Sequence, residues 1–191
     1  MVDNISLDAR APLADIDHSY DGISLAQITS RAIISIASPL GGEQKLAKAI
    51  TKSYAMKLPK TGYSTQSKDK NTHLLGLQPD MVFMVFEHEG NDGLEQVRRK
   101  LGSVGYYSDQ SDSWVIVELT GPKTRLALER ICLLDLNPKV FLEGAVSRTQ
   151  MEHLGTIIFR SGPDSFTLFS ARSSAKSFIH ALKTSITNVT D

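Results

Sequence analysis

The sequence predicts an α+β fold built on antiparallel sheets. Three observations carry that reading: apolar runs of strand length recur along the whole chain, single amphipathic helical stretches follow some of them, and strand pairs separate those helices. With 191 residues and 41% apolar side chains, the chain can bury a core as one domain or as two small packed halves.

Residues 1–22 are polar, aperiodic and rich in aspartate, and are expected to form a flexible tail that a partner would order. Residues 31–37 (RAIISIA) read as a strand, bounded by Pro39 and the Gly41-Gly42 pair. A helix is expected over 43–57, with Leu46, Ala49, Ile50 and Tyr54 on one face and Lys45, Lys48 and Lys52 on another. Residues 60–71 are a loop by composition, and 73–76 form a short strand. The run 81–86 (MVFMVF) is so uniformly apolar that it is expected to be a buried central strand. Asp92, with Glu95 three residues on, resembles a capping box; Leu94, Val97 and Leu101 form the buried stripe of the helix it opens. Residues 104–107 read as another short strand.

The second half repeats the rhythm. Residues 114–119 form a strand, and Gly121-Pro122 opens a helix with proline in its first turn. Ala127, Leu128 and Ile131 carry that helix's inner face. Residues 144–151, 156–160 and 165–169 read as three strands, the last two joined through Ser161-Gly162-Pro163-Asp164 as a hairpin. A final helix is expected over 172–186, with Ala175, Phe178, Ile179 and Leu182 at helical spacing. This alternation of single helices with strand pairs suggests two ferredoxin-like halves, 23–110 and 111–191, packed as one compact unit.

Motifs for chemistry on this chain are absent from the sequence. No GxGxxG or GxxxxGK[ST] is present, and the strand-to-helix turn at Ser38-Pro39-Leu40-Gly41-Gly42-Glu43 reads as a plain glycine turn. The five histidines stand singly, without metal-ligand spacing. Glu87-His88-Glu89 marks the solvated end of the preceding strand. Cys132 reads as a buried, inert thiol, and a lone cysteine fits a reducing compartment. No GxSxG elbow occurs. The sequence therefore assigns no catalytic, cofactor-binding or metal-binding residue to this chain. Formal net charge is zero, which gives no bulk reason to expect nucleic acid or an anionic membrane. One local bias stands out: Lys45, Lys48, Lys52, Lys57, Lys60, Lys68 and Lys70 share a stretch whose one acidic residue is Asp69. That stretch reads as a solvated face, as a docking face for an acidic protein surface, or as a nucleic-acid surface. The N-terminus has no apolar core of a signal peptide and no run spans a bilayer, so a soluble, cytoplasmic protein is expected.

Several segments together carry a family resemblance. Ser111-Asp112-Ser113-Trp114-Val115-Ile116-Val117-Glu118-Leu119-Thr120-Gly121-Pro122 is similar to a segment of the aminomethyltransferase (glycine-cleavage T-protein) superfamily. Cys132-Leu133-Leu134-Asp135-Leu136, Ala145-Val146-Ser147-Arg148-Thr149 and Ser170-Ala171-Arg172-Ser173-Ser174-Ala175 follow in order. With Gly76-Leu77-Gln78-Pro79-Asp80 before the apolar strand, this succession, over residues 25–187, resembles the sarcosine oxidase gamma subunit family.

The resemblance implies an aminomethyltransferase-like fold and a structural, assembly role in a heterotetrameric complex that oxidatively demethylates sarcosine. Partners would be its alpha, beta and delta subunits, chiefly the large alpha subunit. FAD, FMN, NAD, zinc and tetrahydrofolate are expected on those partners and no cofactor on this chain. Two other readings stay open: a stand-alone folate or one-carbon-binding module, and the small subunit of an N-methylglutamate dehydrogenase-type complex. Arg148 and Arg172 are candidate anion or interface contacts, because guanidinium groups bind carboxylates bidentately. Leu134, Leu136 and Phe141 are candidate interface residues within the run Leu133, Leu134, Leu136, Val140, Phe141 and Leu142, which alternatively folds over its own core.

Overall fold

A computed structural model describes residues 11–13 and 16–190 of the chain. Two antiparallel sheets lie face to face, with helices on both outer surfaces, so the molecule is layered α/β/β/α. The first sheet has six strands: β1 (Asp17–Tyr20), β2 (Ile23–Ile28), β8 (Trp114–Thr120), β9 (Val146–Met151), β10 (Leu154–Gly162) and β11 (Ser165–Ala171), ordered β1-β2-β8-β11-β10-β9. The second has five: β3 (Arg31–Ala37), β4 (Ser64–Gln66), β5 (Thr72–Gln78), β6 (Met81–Glu87) and β7 (Tyr106–Asp109), ordered β4-β5-β6-β3-β7. Helices α1 (Glu43–Tyr54) and α2 (Gly93–Leu101) cover the five-stranded sheet; α3 (Thr124–Glu129) and α4 (Ala175–Thr190) cover the six-stranded one.

Strand alternation explains the layering. Successive side chains point to opposite faces, so a strand between two layers must be apolar on both. In β3, Ile34 and Ile36 pack under α1 and α2, while Ile33 turns to the opposite sheet. In β6, Val82 and Met84 face the helices, and Phe83 and Val85 face the other sheet. That double burial is why MVFMVF is a central strand, as its composition predicts. Ile33, Leu75, Leu77, Phe83 and Val85 meet Ile116, Val146, Ile157, Phe159 and Phe169 in the core between the sheets. Each such side chain, fully buried, contributes about 1.5–3 kcal/mol relative to an exposed one.

The structure corrects several local expectations. Residues 1–10 and 14–15 lie outside the described residues, but Asp17–Tyr20, within the expected tail, is a strand paired with β2. Strand β2 pairs antiparallel with β8, Ser24 opposite Thr120, so residues 23–28 join the sheet of the C-terminal half rather than that of 31–109. Its alternation (Ile23 and Leu25 buried, Ser24 and Ala26 less so) is a period-two pattern interrupted by alanine and glutamine. The expected loop 60–71 contains β4, and α1 stops at Tyr54, where Ala55 takes a left-handed conformation with φ 54°. The Asp92 side chain does not cap α2; its carboxylate lies 3.1 Å from His88 Nε2 and 3.6 Å from Arg99 Nη2, while Glu95 pairs with Arg98. Pro122 precedes α3, which begins at Thr124. The final helix starts later and runs further than expected, after a 3₁₀ turn at Arg172–Ser174. Glycine is required at Gly76, where a Cβ would sit 2.3 Å from the Lys60 carbonyl oxygen as the backbone of Gly76 bonds Gly62 and Tyr63.

Candidate functional site

At one end of the sandwich the two sheets part to leave a cleft of about 840 Å³. Its walls come from the β2–β3 link, the start of β8 and the end of β11. The 3₁₀ turn Ser111–Ser113 fixes its floor: Ile33 N–H donates to Ser111 Oγ (3.0 Å), Gln110 N–H to the Ile33 carbonyl, and Ser111 N–H to Asp109 Oδ1 (2.9 Å). The chain then enters β8 at Trp114, whose ring meets Phe83 edge-on at 5.9 Å and 70°. Among the described residues, the buried Trp114 indole N–H finds no hydrogen-bond acceptor and the buried Gln27 side-chain oxygen no donor. Both residues line the cleft.

Two arginines stand at its rim. Arg31 Nη1 lies 2.9 Å from Glu87 Oε1, but off the line of its N–H bonds, so the pair is ionic more than hydrogen-bonded. Burial lowers the Arg31 pKa and Glu118 opposes that shift; a guanidinium stays charged regardless. Arg172 Nη1 sits 3.6 Å from Asp112 Oδ1. The cleft thus offers two arginines, each beside a carboxylate, with Glu89 and Asp109 also in its lining, and an indole donor, a set suited to a small polar or planar molecule. Among the described residues that line it, His88 turns to Gln96 and Asp92 rather than to a serine hydroxyl, so no nucleophile stands beside a base.

The candidate residues read from sequence do not converge. Arg172 lines the cleft, whereas Arg148 is exposed on β9 with its guanidinium carbon 5.9 Å from the Phe83 ring centre. Leu136 and Phe141 are corrections: at 0% and 9% exposure they belong to the core beneath α3 and α4 and cannot meet a partner. Leu134 packs half-buried against the same core. The outward members of that run are Leu133, Val140 and Leu142, 78%, 64% and 51% exposed. The loop is pinned from inside by Arg160, a buried guanidinium that donates to the carbonyls of Phe141 (2.8 Å), Pro163 (2.7 Å) and Gly162 (3.3 Å). Sequence reading missed Arg160 because its partners are backbone oxygens, which carry no sequence signature. The sequence places Arg31 in a strand and Trp114 in a strand and in the 111–122 segment, without a site role for either.

Cys132 is buried, and burial raises its thiol pKa, with Leu134 and Thr149 pulling weakly the other way. That environment suits an unreactive thiol. Among the described residues no cluster of three His, Cys, Asp or Glu could hold a metal ion, and no helix is long and apolar enough to cross a membrane.

No protein-family model matches the chain. Among curated proteins, a sarcosine oxidase subunit gamma from Corynebacterium sp. (strain P-1) is 27% identical over 143 residues, 74% of this chain and 68% of that protein. A sarcosine oxidase subunit gamma from Arthrobacter sp. is 31% identical over 99 residues, covering 51% of this chain and 48% of its own length. Among solved structures, a chain of heterotetrameric sarcosine oxidase from Corynebacterium sp. U-96, in complex with pyrrole 2-carboxylate, superposes with a TM-score of 0.78 at 21% identity over 92% of this chain and 89% of that one. Glycine cleavage system aminomethyltransferase T from Bartonella henselae gives 0.62 at 18% identity, over 84% of this chain and 45% of that one. The chain is thus similar in sequence to sarcosine oxidase gamma subunits, and it has the fold of a chain of the heterotetrameric enzyme and of aminomethyltransferase T.

Proposed function

We propose that this chain is an assembly subunit of a sarcosine oxidase-like flavoenzyme complex, with FAD, FMN, NAD, zinc and tetrahydrofolate held by its partners. The observation that carries the reading is agreement between two independent comparisons. The sequence matches gamma subunits over 74% of the chain, and the fold matches a heterotetrameric sarcosine oxidase chain over 92%. The exposed Leu133, Val140 and Leu142 support it, because an apolar loop held out from the surface is what a subunit contact uses. The alpha subunit is the proposed principal partner, and the complex is proposed to act in the cytoplasm on an N-methylated amino acid. Sarcosine is the substrate the relatives' names point to, with N-methylglutamate the competing one.

The test is recovery of the tagged chain from its native lysate, with mass spectrometry and an absorbance scan. A flavin-containing complex with two large flavoprotein-type chains and a small fourth chain is expected, and the purified complex should oxidise sarcosine in preference to N-methylglutamate. A colourless chain recovered alone would overturn the reading. The cleft at Arg31, Trp114 and Arg172 favours a second reading, a folate or one-carbon-binding module. Titration of the isolated chain with tetrahydrofolate, followed by Trp114 fluorescence, separates the two, since an assembly subunit shows no saturable quenching.

A further inference from the structure

The lysines of the 43–70 stretch lie on α1 and the connection that follows it, and the fold sets Lys52 beside the 67–72 turn and the end of α2. Lys45, Lys48 and Lys52 rise along the solvent side of α1 over about 10 Å, at 1.5 Å per residue. Lys57, Lys60, Lys68 and Lys70 follow in the connection to β5, all exposed. Helix α2 packs beside α1 and adds Lys100: its carbonyl accepts from Ser53 Oγ at 2.9 Å, and its ammonium lies 4.8 Å from the centre of the Tyr54 ring.

The ion pairing on this face is asymmetric. Among the described residues, the ion pairs of the molecule fall on Arg31, His88, Arg98, Arg99, Lys123, Arg125 and Arg172, and none of these eight lysines has a carboxylate within 4.0 Å. Helix-dipole compensation accounts for Lys52 and Lys100, which sit in or near last turns, but not for Lys45, Lys48 or the four lysines of the connection. The one carboxylate within 45–70 is Asp69, which feels the charge of Lys100 from beyond ion-pair distance, so this part of a chain of zero net charge keeps a positive excess.

We propose that this face, formed by α1, the 57–70 connection and the end of α2, docks against an acidic surface of a partner protein. The inference rests on the subunit reading above, which supplies the partner. The chemistry favours protein over nucleic acid. Nucleic-acid surfaces use stacking aromatics and free arginine forks. Here Tyr54 is half-buried beneath Lys100, with burial pushing its hydroxyl pKa up to about 12; Tyr63 is the one exposed ring of the connection; and Arg98 and Arg99 already face Glu95 and Asp92. Unpaired lysines suit a docking surface that steers encounter and sets register across a wet interface.

The experiment compares wild-type chain with a Lys45→Glu, Lys48→Glu, Lys68→Glu variant and with a Lys→Gln variant at the same positions. Each is tagged and used to recover the complex, and re-association of the separated chain with its identified partners is timed. Equal melting curves for the three chains establish that folding is unchanged. The association rate of the charge-reversed chain is expected to fall about tenfold at low salt, with the glutamine variant between, and the difference is expected to vanish near 0.5 M salt, roughly where exposed charges are screened. A complex that forms from all three chains at one rate and with one salt dependence overturns the docking face while leaving the subunit reading intact. Failure of the wild-type chain to yield any complex overturns both. Micromolar binding of duplex DNA or single-stranded RNA by wild type, lost in the variant, reassigns the face to nucleic acid and overturns the proposal.

Discussion

The two sheet-and-helix layers share a plan and differ in what they show to solvent. The five-stranded sheet is covered by two well-formed helices, twelve and nine residues long, whose outer faces carry unpaired lysines. The six-stranded sheet is covered by the long α4, the six-residue α3 and an irregular stretch from 130 to 145, which exposes Leu133, Val140 and Leu142. Their inner faces, by contrast, are alike: five apolar side chains from each sheet interlock between them. A shared core with unlike exteriors is what a subunit needs if it holds one rigid shape and offers separate polar and apolar contacts. Perturbing the shared core should affect both layers, and perturbing either exterior should leave the fold alone.

The largest effect is expected at Phe169, which is 1% exposed in the core between the sheets. Phe169→Ala should cost about 3–5 kcal/mol, from lost burial plus the cavity left behind. Urea unfolding should remain a single transition at lower denaturant, followed by Trp114 fluorescence from the inter-sheet core and by far-UV circular dichroism for the helices. Two separated transitions would show that the layers fold as independent units and break the comparison.

Arg160 comes next. Its guanidinium has three backbone carbonyls for partners and, among the described residues, no carboxylate. Arg160→Met keeps the length and loses the donors, leaving the Phe141 carbonyl short of a partner. A loss of about 2–3 kcal/mol is expected, at the scale of hydrogen bonds to a charged group. Limited proteolysis should then cut within 137–144 before any other described segment; an unchanged cleavage pattern would deny that Arg160 holds the loop.

How much of this was legible in the sequence follows from the range of the interactions. MVFMVF announces a central strand because both its faces are apolar, and it is one, while WVIVEL is legible as a strand. The β10–β11 hairpin was legible from its Gly-Pro-Asp turn. Strand β2 was not read, because it completes its sheet by pairing with β8, 88 to 96 residues away, and nothing local in ISLAQI points there. The β9–β10 turn was equally hidden: Glu152 and His153 both take positive φ, 46° and 68°, without the asparagine or glycine that marks such turns. In the candidate site, Arg172 was named from sequence, but its partner Asp112 was named only as part of a motif. Leu136 and Phe141 show the limit of composition. An apolar loop residue has the same sequence signature whether it points outward or inward, and Arg160 decides which way this loop faces.

A smaller effect is expected at His73, which belongs to the seam between the sheets. Its ring meets Phe159 edge-on at 5.2 Å, and burial, followed by the positive charge of Arg31, holds its pKa below the ordinary histidine value. The folded state thus resists protonation more than the unfolded chain does. His73 therefore contributes stability that is fully present above about pH 6.5 and is lost as pH falls through that value toward the lowered folded pKa. Urea midpoints of wild type should drop between pH 7.5 and pH 5, and His73→Phe, which cannot titrate, should flatten part of that drop. An identical pH profile in the variant would place the titration elsewhere.

The smallest effect on stability is expected on the apolar exterior. Leu133→Ser with Val140→Ser removes side chains that are 78% and 64% exposed, so little buried area is lost. The unfolding free energy should move by no more than about 0.5 kcal/mol, the range for surface positions without a structural role. Association should respond oppositely: if this loop is a subunit contact, the double variant should fold normally and fail to pull down its partners at any salt concentration. That salt independence separates it from the lysine face, whose substitutions act through a screened field. A double variant that recovers the complex at wild-type yield would remove the loop from the interface and leave the lysine face as the sole contact argued from the structure.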